Sequence, residues 1–130
     1  DFIGNPKINF IDGICVKDGD GVKVMSPLGE MAADKKCEGS LDKKAVTLAL
    51  RPEHVFISDE FQEDSIEYEI YSVLPAGSET LVQFKMQDQF VMAKIIGQAK
   101  FESDQKVWVS FAKGSINVYD KESGQLLFNV

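Results

Sequence analysis

Residues Ser65–Leu74 have the sequence SIEYEIYSVL, in which apolar and polar side chains alternate. In an extended chain, successive side chains point to opposite faces, so this period of two divides the stretch into two sides. One side is apolar and the other carries the glutamates: Ile66, Tyr68 and Ile70 against Glu67, Glu69 and Tyr71. The stretch therefore predicts a β-strand with one buried face.

The same alternation recurs along the chain, with glycine-containing or polar turns between the segments. Further strands are predicted at 10–16, 21–25, 45–50, 53–58, 80–86, 90–96, 106–111 and 116–119, with a brief pairing at 126–128. Residues 26–44 are polar and predict a loop with at most one helical turn, in which Met31 and Leu41 tuck inward. Nine or ten short strands at regular spacing predict an all-β barrel or sandwich.

The chain has 130 residues, of which 44% are hydrophobic, enough for one ordinary domain with a packed core. We expect a first strand group at 1–58, an acidic linker at 59–64 (DEFQED) and a second strand group at 65–130. The chain opens at Asp1 in the middle of a pattern, so it is predicted to be a fragment of a longer protein.

The formal net charge of −7 argues against nucleic acid and anionic membranes as partners, because both repel an acidic surface. No apolar run is long enough to span a bilayer, so no direct membrane insertion is expected. Cys15 and Cys37 are expected to be reduced thiols, one in a strand and one in a loop, as in a cytoplasmic protein. A disulfide between them is possible but not indicated by the sequence.

The run RPEHVF at 51–56 contains the sole arginine and the sole histidine of the chain. A general base needs an orienting carboxylate, but Glu53 adjoins His54 and would point to the opposite face of a strand. We therefore predict a structural corner. Pro52 fixes the backbone there, and Arg51 is expected to bind a carboxylate or loop carbonyl groups.

Other candidate sites are weaker. No glycine-rich loop ends in Lys-Ser/Thr, so the sequence has no phosphate-binding loop for a nucleotide. Two cysteines and one histidine do not make a zinc site. Asp18 and Asp20 lack the other ligands of a calcium loop. A nucleic-acid face is not expected, since Phe84, Phe90 and Phe111 fall at core positions. The lysines 35, 36, 43 and 44 lie in a mixed-charge loop. The acidic run 59–64 is either a docking surface for a basic partner or, more often, a solvated linker.

Four segments resemble, in the same order, motifs of the ATP-binding subunits of sugar importers. They are FIGNPKINF at 2–10, LRPEH at 50–54, GSET at 77–80, and a closing pattern that runs from VWVSF at 107–111 to Ser123-Gly124. The motif residues are Phe2, Gly4, Pro6 and Asn9; Arg51, Pro52, Glu53 and His54; and Gly77, Ser78, Glu79 and Thr80. The chain thus resembles the C-terminal regulatory domain of a maltose/multiple-sugar or glycerol-phosphate type ABC importer ATPase.

This resemblance implies an OB-like barrel, or two, of the transport-associated type, peripheral to the cell membrane on its cytoplasmic side. It implies contact with an identical or homologous ATP-binding subunit, with membrane permease subunits through the parent protein, and with a regulatory protein in some members. ATP and Mg²⁺ would bind the missing ATPase domain, so no cofactor and no hydrolysis are expected in this fragment.

An alternative remains open, in which the domain senses an oxyanion or a sugar. Related barrels in anion importers hold oxyanions at subunit boundaries with backbone N–H groups and Ser, Thr or Lys side chains. Ser78 and Thr80 beside Gly77, and the run Lys113-Gly114-Ser115, are the residues that would serve in this way.

Overall fold

The structure, a computed structural model, describes residues 8–36, 41–97 and 100–130. These residues form eleven strands and no α-helix. The strands are β1 (Asn9–Asp18), β2 (Gly21–Ser26), β3 (Gly29–Lys36), β4 (Lys44–Leu50), β5 (Val55–Ser58), β6 (Ile66–Ala76), β7 (Glu79–Met86), β8 (Gln89–Ile96), β9 (Lys106–Phe111), β10 (Asn117–Asp120) and β11 (Leu126–Asn129). A 3₁₀ turn at Pro52–His54 precedes β5. The all-β prediction is confirmed.

The strands pair into two sheets. One has six strands in the order β11-β10-β4-β1-β2-β3, and the other has five in the order β5-β9-β6-β7-β8. Every pair in the five-stranded sheet is antiparallel. Its two outer strands, β5 and β8, approach each other, so the sheet curls as a barrel wall does.

The chain divides into two units that interleave along the sequence. One unit comprises residues 1–9 and 50–112, and the other comprises residues 10–49 and 113–130. We name them the aromatic unit and the aliphatic unit, since ten of the thirteen Phe, Tyr and Trp residues belong to the first. This division differs from the expected split at 59–64, because β10 pairs with β4 and β5 pairs with β9. The acidic stretch instead joins β5 to β6 within one sheet.

Each unit has its own buried side chains. In the aliphatic unit the core residues are Ile11, Cys15, Val22, Val24, Leu28, Leu41, Val46, Leu48, Ala49, Ile116 and Val118. In the aromatic unit they are Leu50, Val55, Ile70, Leu81, Val82, Phe84, Met86, Val91, Ala93, Val107 and Val109. Cys15 lies in a strand as expected, whereas Cys37 lies outside the described residues.

The prediction of a loop throughout 26–44 is wrong. After a short turn, β3 (Gly29–Lys36) runs antiparallel to β2, with Met31 opposite Val24. A cross-strand ion pair of 2.8 Å between Lys23 Nζ and Glu30 Oε1 supports this register. β3 lies at the edge of its sheet, where a strand can be largely polar. The polar composition of this segment therefore gave no sign of a strand. Leu41 is buried as expected.

The expectation for Phe90 is also wrong, whereas that for Phe84 holds. Phe84 is fully buried, but Phe90 is 46% exposed and contacts the ring of Tyr71 edge-on at 5.1 Å. Phe84 lies opposite Val91 and Lys85 lies opposite Phe90, so the register turns Phe90 outward. Phe111 is half-buried.

Candidate functional site

The RPEH segment forms a tight corner between β4 and β5. Arg51 is extended, as a residue before proline must be, and Pro52 is buried at the first position of the 3₁₀ turn. The N–H of His54 donates to the carbonyl of Arg51 at 3.0 Å, which closes the turn. The carbonyl of His54 accepts from Ala112 N–H at 3.0 Å, which ties the corner to the end of β9.

The side chains of this corner face different environments. Arg51 and Glu53 are exposed, and in the part of the chain that the structure describes neither makes an ion pair or a side-chain hydrogen bond. The partner expected for Arg51 is therefore not found, because the turn after it directs Arg51 outward. His54 is half-buried, and its Nδ1 atom is buried without a hydrogen-bond partner among the described residues. Glu53 and His54 do not form an acid–base pair.

The GSET segment closes the β6–β7 hairpin and fastens the end of β8. Gly77 has φ +69°, which favours glycine, and a two-residue loop with Gly first is a common hairpin turn. The buried hydroxyl of Thr80 donates to the carbonyl of Gly97 at 3.0 Å. The N–H of Gly97 donates to the carbonyl of Ser78. Glu79 Oε1 lies 3.3 Å from Lys94 Nζ of β8.

Asn9, the described member of the leading motif, also binds β8. Its side-chain Nδ2 donates to the carbonyl of Met92 at 2.8 Å, and its Oδ1 accepts from Met92 N–H at 2.8 Å. Asn9 is 7% exposed, so both bonds are shielded from water. The amide thus satisfies backbone groups on the outer edge of an edge strand, where a further strand would otherwise pair. Phe2, Gly4 and Pro6 lie outside the described residues.

Three of the motif segments therefore converge on one strand. Asn9 pairs with the middle of β8, Ser78 and Thr80 hold its end, and the turn Pro52–His54 lies beside it. We call this set of contacts the β8 anchor. The sequence predicted a corner at RPEH and a turn at GSET. It did not predict that both lie at β8, because only the fold brings residues so distant in sequence together.

The closing motif forms a second fastened turn, in the aliphatic unit. Asp120 Oδ1 accepts from the N–H of Glu122 at 2.9 Å, and Asp120 Oδ2 lies 3.3 Å from Lys44 Nζ of β4. The N–H of Glu122, together with the ammonium of Lys44, lowers the pKa of the Asp120 carboxyl below its ordinary value. Gly124 at φ +75° returns the chain to β11. The motif thus sets a hairpin rather than a catalytic centre.

Three further properties of the described residues concern metal ligands, a tyrosine and helix length. Within residues 8–36, 41–97 and 100–130, no group of three or more His, Cys, Asp or Glu side chains is placed to hold a metal ion. Burial raises the pKa of Tyr68, whose side chain lies on the inner side of β6. The same three ranges contain no helix long and apolar enough to cross a membrane.

Comparison with known proteins bears directly on these motifs. Over 137 aligned residues the chain is 31% identical to the xylose/arabinose import ATP-binding protein XacK of Haloferax volcanii, an alignment that covers 98% of this chain and 34% of XacK. It is 24% identical to the sn-glycerol-3-phosphate import ATP-binding protein UgpC of Salmonella typhimurium, over 95% of this chain and 34% of UgpC. The chain therefore spans about a third of the length of these relatives. The resemblance to sugar-importer ATP-binding subunits is confirmed.

The fold is similar to that of a solved protein. A structure of the cytoplasmic molybdate-binding protein ModG, with molybdate bound, superposes with a TM-score of 0.64 over 85% of this chain and 94% of ModG. Sequence identity is only 10%, so the likeness concerns the fold alone. It supports the OB-like, antiparallel architecture predicted from the sequence. The TOBE domain model matches residues 48–118, more than half of the chain, and the chain therefore belongs to the TOBE domain family.

Proposed function

We propose that this chain is the regulatory and dimerisation domain of the ATP-binding subunit of a sugar-type ABC importer. The observation that carries the proposal is the alignment with importer ATP-binding subunits over nearly the whole chain but only a third of their length. On this proposal the parent protein hydrolyses ATP elsewhere, and this domain lies peripheral to the membrane on the cytoplasmic side.

The geometry of the motifs supports a non-catalytic role. GSET and Asn9 bind strand β8, the RPEH turn lies beside that strand and is tied to Ala112, and Asp120 holds a hairpin, so each motif has a structural task. Among the described residues no cluster suits Mg²⁺, and ATP with Mg²⁺ would instead bind the ATPase domain of the parent. The purified chain should show no nucleotide hydrolysis, and turnover above the buffer blank would contradict the proposal.

The proposed partners are an identical or homologous ATP-binding subunit, the membrane permease subunits through the parent protein, and in some cases a regulatory protein. Arg51 and Glu53 are exposed at the corner between β4 and β5, which leaves their charges available to a neighbouring subunit. We therefore expect Arg51→Glu with Glu53→Lys to weaken dimerisation of the parent subunit, or its control, without unfolding it.

Sedimentation velocity of the parent subunit, together with its transport-coupled ATP hydrolysis, tests this expectation. A matched control exchanges two exposed opposite charges at the end of the β7–β8 hairpin, Lys85→Glu with Asp88→Lys, and likewise leaves the net charge unchanged. If the corner variant and the control behave as the unmodified protein in both measurements, the corner is not an interface.

The alternative function, sensing of an oxyanion or sugar, has less support. The Thr80 hydroxyl that would donate to an anion already donates to the Gly97 carbonyl. The molybdate in ModG is a property of that protein, and its likeness to this chain concerns the fold. A thermal-shift screen with sugars, molybdate, tungstate, sulfate and phosphate separates the two functions. A saturable rise in Tm with one of them would favour the sensor.

A further inference from the structure

The acidic stretch between β5 and β6 is folded back on itself. Ser58 Oγ accepts from the N–H of Glu60 at 3.1 Å. The hydroxyl of Ser65 donates to the carbonyl of Gln62 and accepts from its N–H. These contacts hold Phe61 at the middle of the stretch. The stretch is therefore built as a defined turn, in contrast to the solvated linker that its composition favours.

This turn places an exposed aromatic ring on the sheet. The ring of Phe61 meets that of Trp108 edge-on, with centroids 5.1 Å apart and planes at 88°. Phe61 nevertheless remains 65% exposed. Phe56 on β5 is 51% exposed and lies opposite Ser110, two residues from Trp108 on β9. Alternation along β5 and β9 places Phe56 and Trp108 on the same outward side.

Carboxylates border these rings. Trp108 lies opposite Glu67, and Lys106 lies opposite Glu69, on the outward side of β6. With the four acidic residues of the turn, six exposed carboxylates lie within residues 59–69, a stretch without Lys or Arg: Asp59, Glu60, Glu63, Asp64, Glu67 and Glu69. None of the six forms an ion pair with any residue that the structure describes. We call Phe56, Phe61, Trp108 and these carboxylates the acid-rimmed aromatic face.

We propose that this face binds a lysine- or arginine-rich segment of a partner protein. Unpaired carboxylates attract cationic side chains and repel their own kind, and aromatic ring faces bind ammonium and guanidinium groups. Nucleic acid and anionic lipid are repelled by the same charge. A second copy that presented the same face would bring like charges together, so a symmetric contact through this face is disfavoured. The inference does not depend on the proposed role in an importer.

Trp108 provides a direct measurement because it is the sole tryptophan of the chain and lies in the face. The probe is a synthetic peptide of three Lys-Leu-Arg-Gly repeats, and the control peptide replaces each Lys and Arg with Glu. We expect the basic peptide to change Trp108 fluorescence saturably and the acidic peptide to leave it unchanged. Raising salt from about 0.05 M to about 0.5 M should weaken the binding, because it shortens the screening length.

Two variants of equal net charge test the location. Glu63→Lys with Glu67→Lys reverses charges in the face, whereas Asp20→Lys with Asp88→Lys reverses charges in the β1–β2 and β7–β8 turns, outside the face. We expect the first to weaken binding of the basic peptide by about tenfold or more, and the second by much less. Phe61→Ala should also weaken binding, and circular dichroism checks that each variant is folded.

Three results would overturn the proposal. The first is a basic peptide that leaves Trp108 fluorescence unchanged up to about 1 mM, a concentration at which even weak complexes form. The second is equal weakening by both charge variants, which would show attraction by net charge alone. The third is a concentration-dependent dimer of the chain that Phe61→Ala abolishes, which would make a second copy the occupant.

Discussion

Both units are built from strands with alternating buried and exposed side chains, but their surfaces differ in charge. The aliphatic unit is built from Val, Ile and Leu and is nearly neutral, whereas residues 1–9 and 50–112 carry twelve acidic and six basic side chains. A net charge of −6 out of −7 thus belongs to the aromatic unit. Alternation fixes which residues are buried in both units, but nearly all of the net negative charge lies in one of them, the unit that carries the proposed binding face.

The units also fasten their strands differently. The aromatic unit uses motif side chains to hold the edge strand β8, through Asn9 and Thr80. The aliphatic unit uses a charged hairpin at Asp120 and close backbone approach at Gly13. Substitutions at these points test whether each unit is fastened in this way.

The largest effect is expected in the core of the aromatic unit. Phe84→Ala removes a fully buried ring and should lower the free energy of unfolding by about 3–5 kcal/mol. Phe90→Ala, on the same hairpin but 46% exposed, should cost less than about 1 kcal/mol. Urea denaturation followed by circular dichroism compares them. Equal losses would mean that the register of β7 and β8 differs from that described.

Gly13 tests close packing in the aliphatic unit. A Cβ atom there would lie 2.8 Å from Leu48 Cδ1 and 3.0 Å from the carbonyl oxygen of Met25. We expect Gly13→Ala to cost about 1–3 kcal/mol by overpacking, measured by urea denaturation. Leu48→Ala in the same chain should reduce that penalty, because it removes one of the two clashing atoms. A fully additive double variant would contradict this account.

Asn9 tests the β8 anchor. Asn9→Ala removes both the donor to the Met92 carbonyl and the acceptor of the Met92 N–H. The loss of a buried hydrogen bond should cost about 1–3 kcal/mol, and amide exchange at Met92 should accelerate. Ser72→Ala, which removes a partly buried hydroxyl that hydrogen-bonds Gln83, is the control in the same sheet and should leave Met92 exchange unchanged. Unchanged Met92 exchange in Asn9→Ala would remove Asn9 from the anchor.

Asp120 tests the hairpin of the aliphatic unit through pH. Its pKa is lowered in the folded chain, so its contribution to stability is present above the ordinary carboxyl value of 3.8 and is lost as pH falls below that value. Asp120→Asn should therefore lower Tm near neutral pH, by less than Asn9→Ala. The difference in Tm between the variant and the unmodified chain should shrink on acidification. A difference independent of pH would mean that the carboxylate charge has no part in the effect.

The sequence predicts most strands because alternation is a local property. Ser65–Leu74 forms most of β6 with the predicted inner and outer faces, up to a bulge between Ile70 and Ser72. That bulge, like the outward turn of Phe90, depends on pairing with a neighbouring strand and has no local signal. Strand β3 was missed because an edge strand needs no apolar alternation.

Side-chain partners were harder to predict than the motifs that contain them. GSET and RPEH were expected to be a turn and a corner, and the structure places them there. Their common position at β8 could not be inferred, because it depends on contacts between residues far apart in sequence. Asn9 and Met92, which also meet at β8, are 83 residues apart. The ion pair expected for Arg51 followed from its chemistry alone, but the direction of its side chain depends on the 3₁₀ turn that follows.

The smallest change in the free energy of unfolding is expected at Arg51. Its substitution distinguishes a structural role of this arginine from a role in binding a partner. Its side chain is exposed and has no ion pair or hydrogen bond to the described residues, so Arg51→Ala should change the free energy of unfolding by no more than about 0.5 kcal/mol. Pro52→Ala, at the buried start of the turn, is the matched comparison and should cost more. If Arg51→Ala lowered stability as much as Pro52→Ala, the arginine would be part of the corner. If stability is unchanged while control of the parent subunit is altered, the reason for an arginine there lies in a partner.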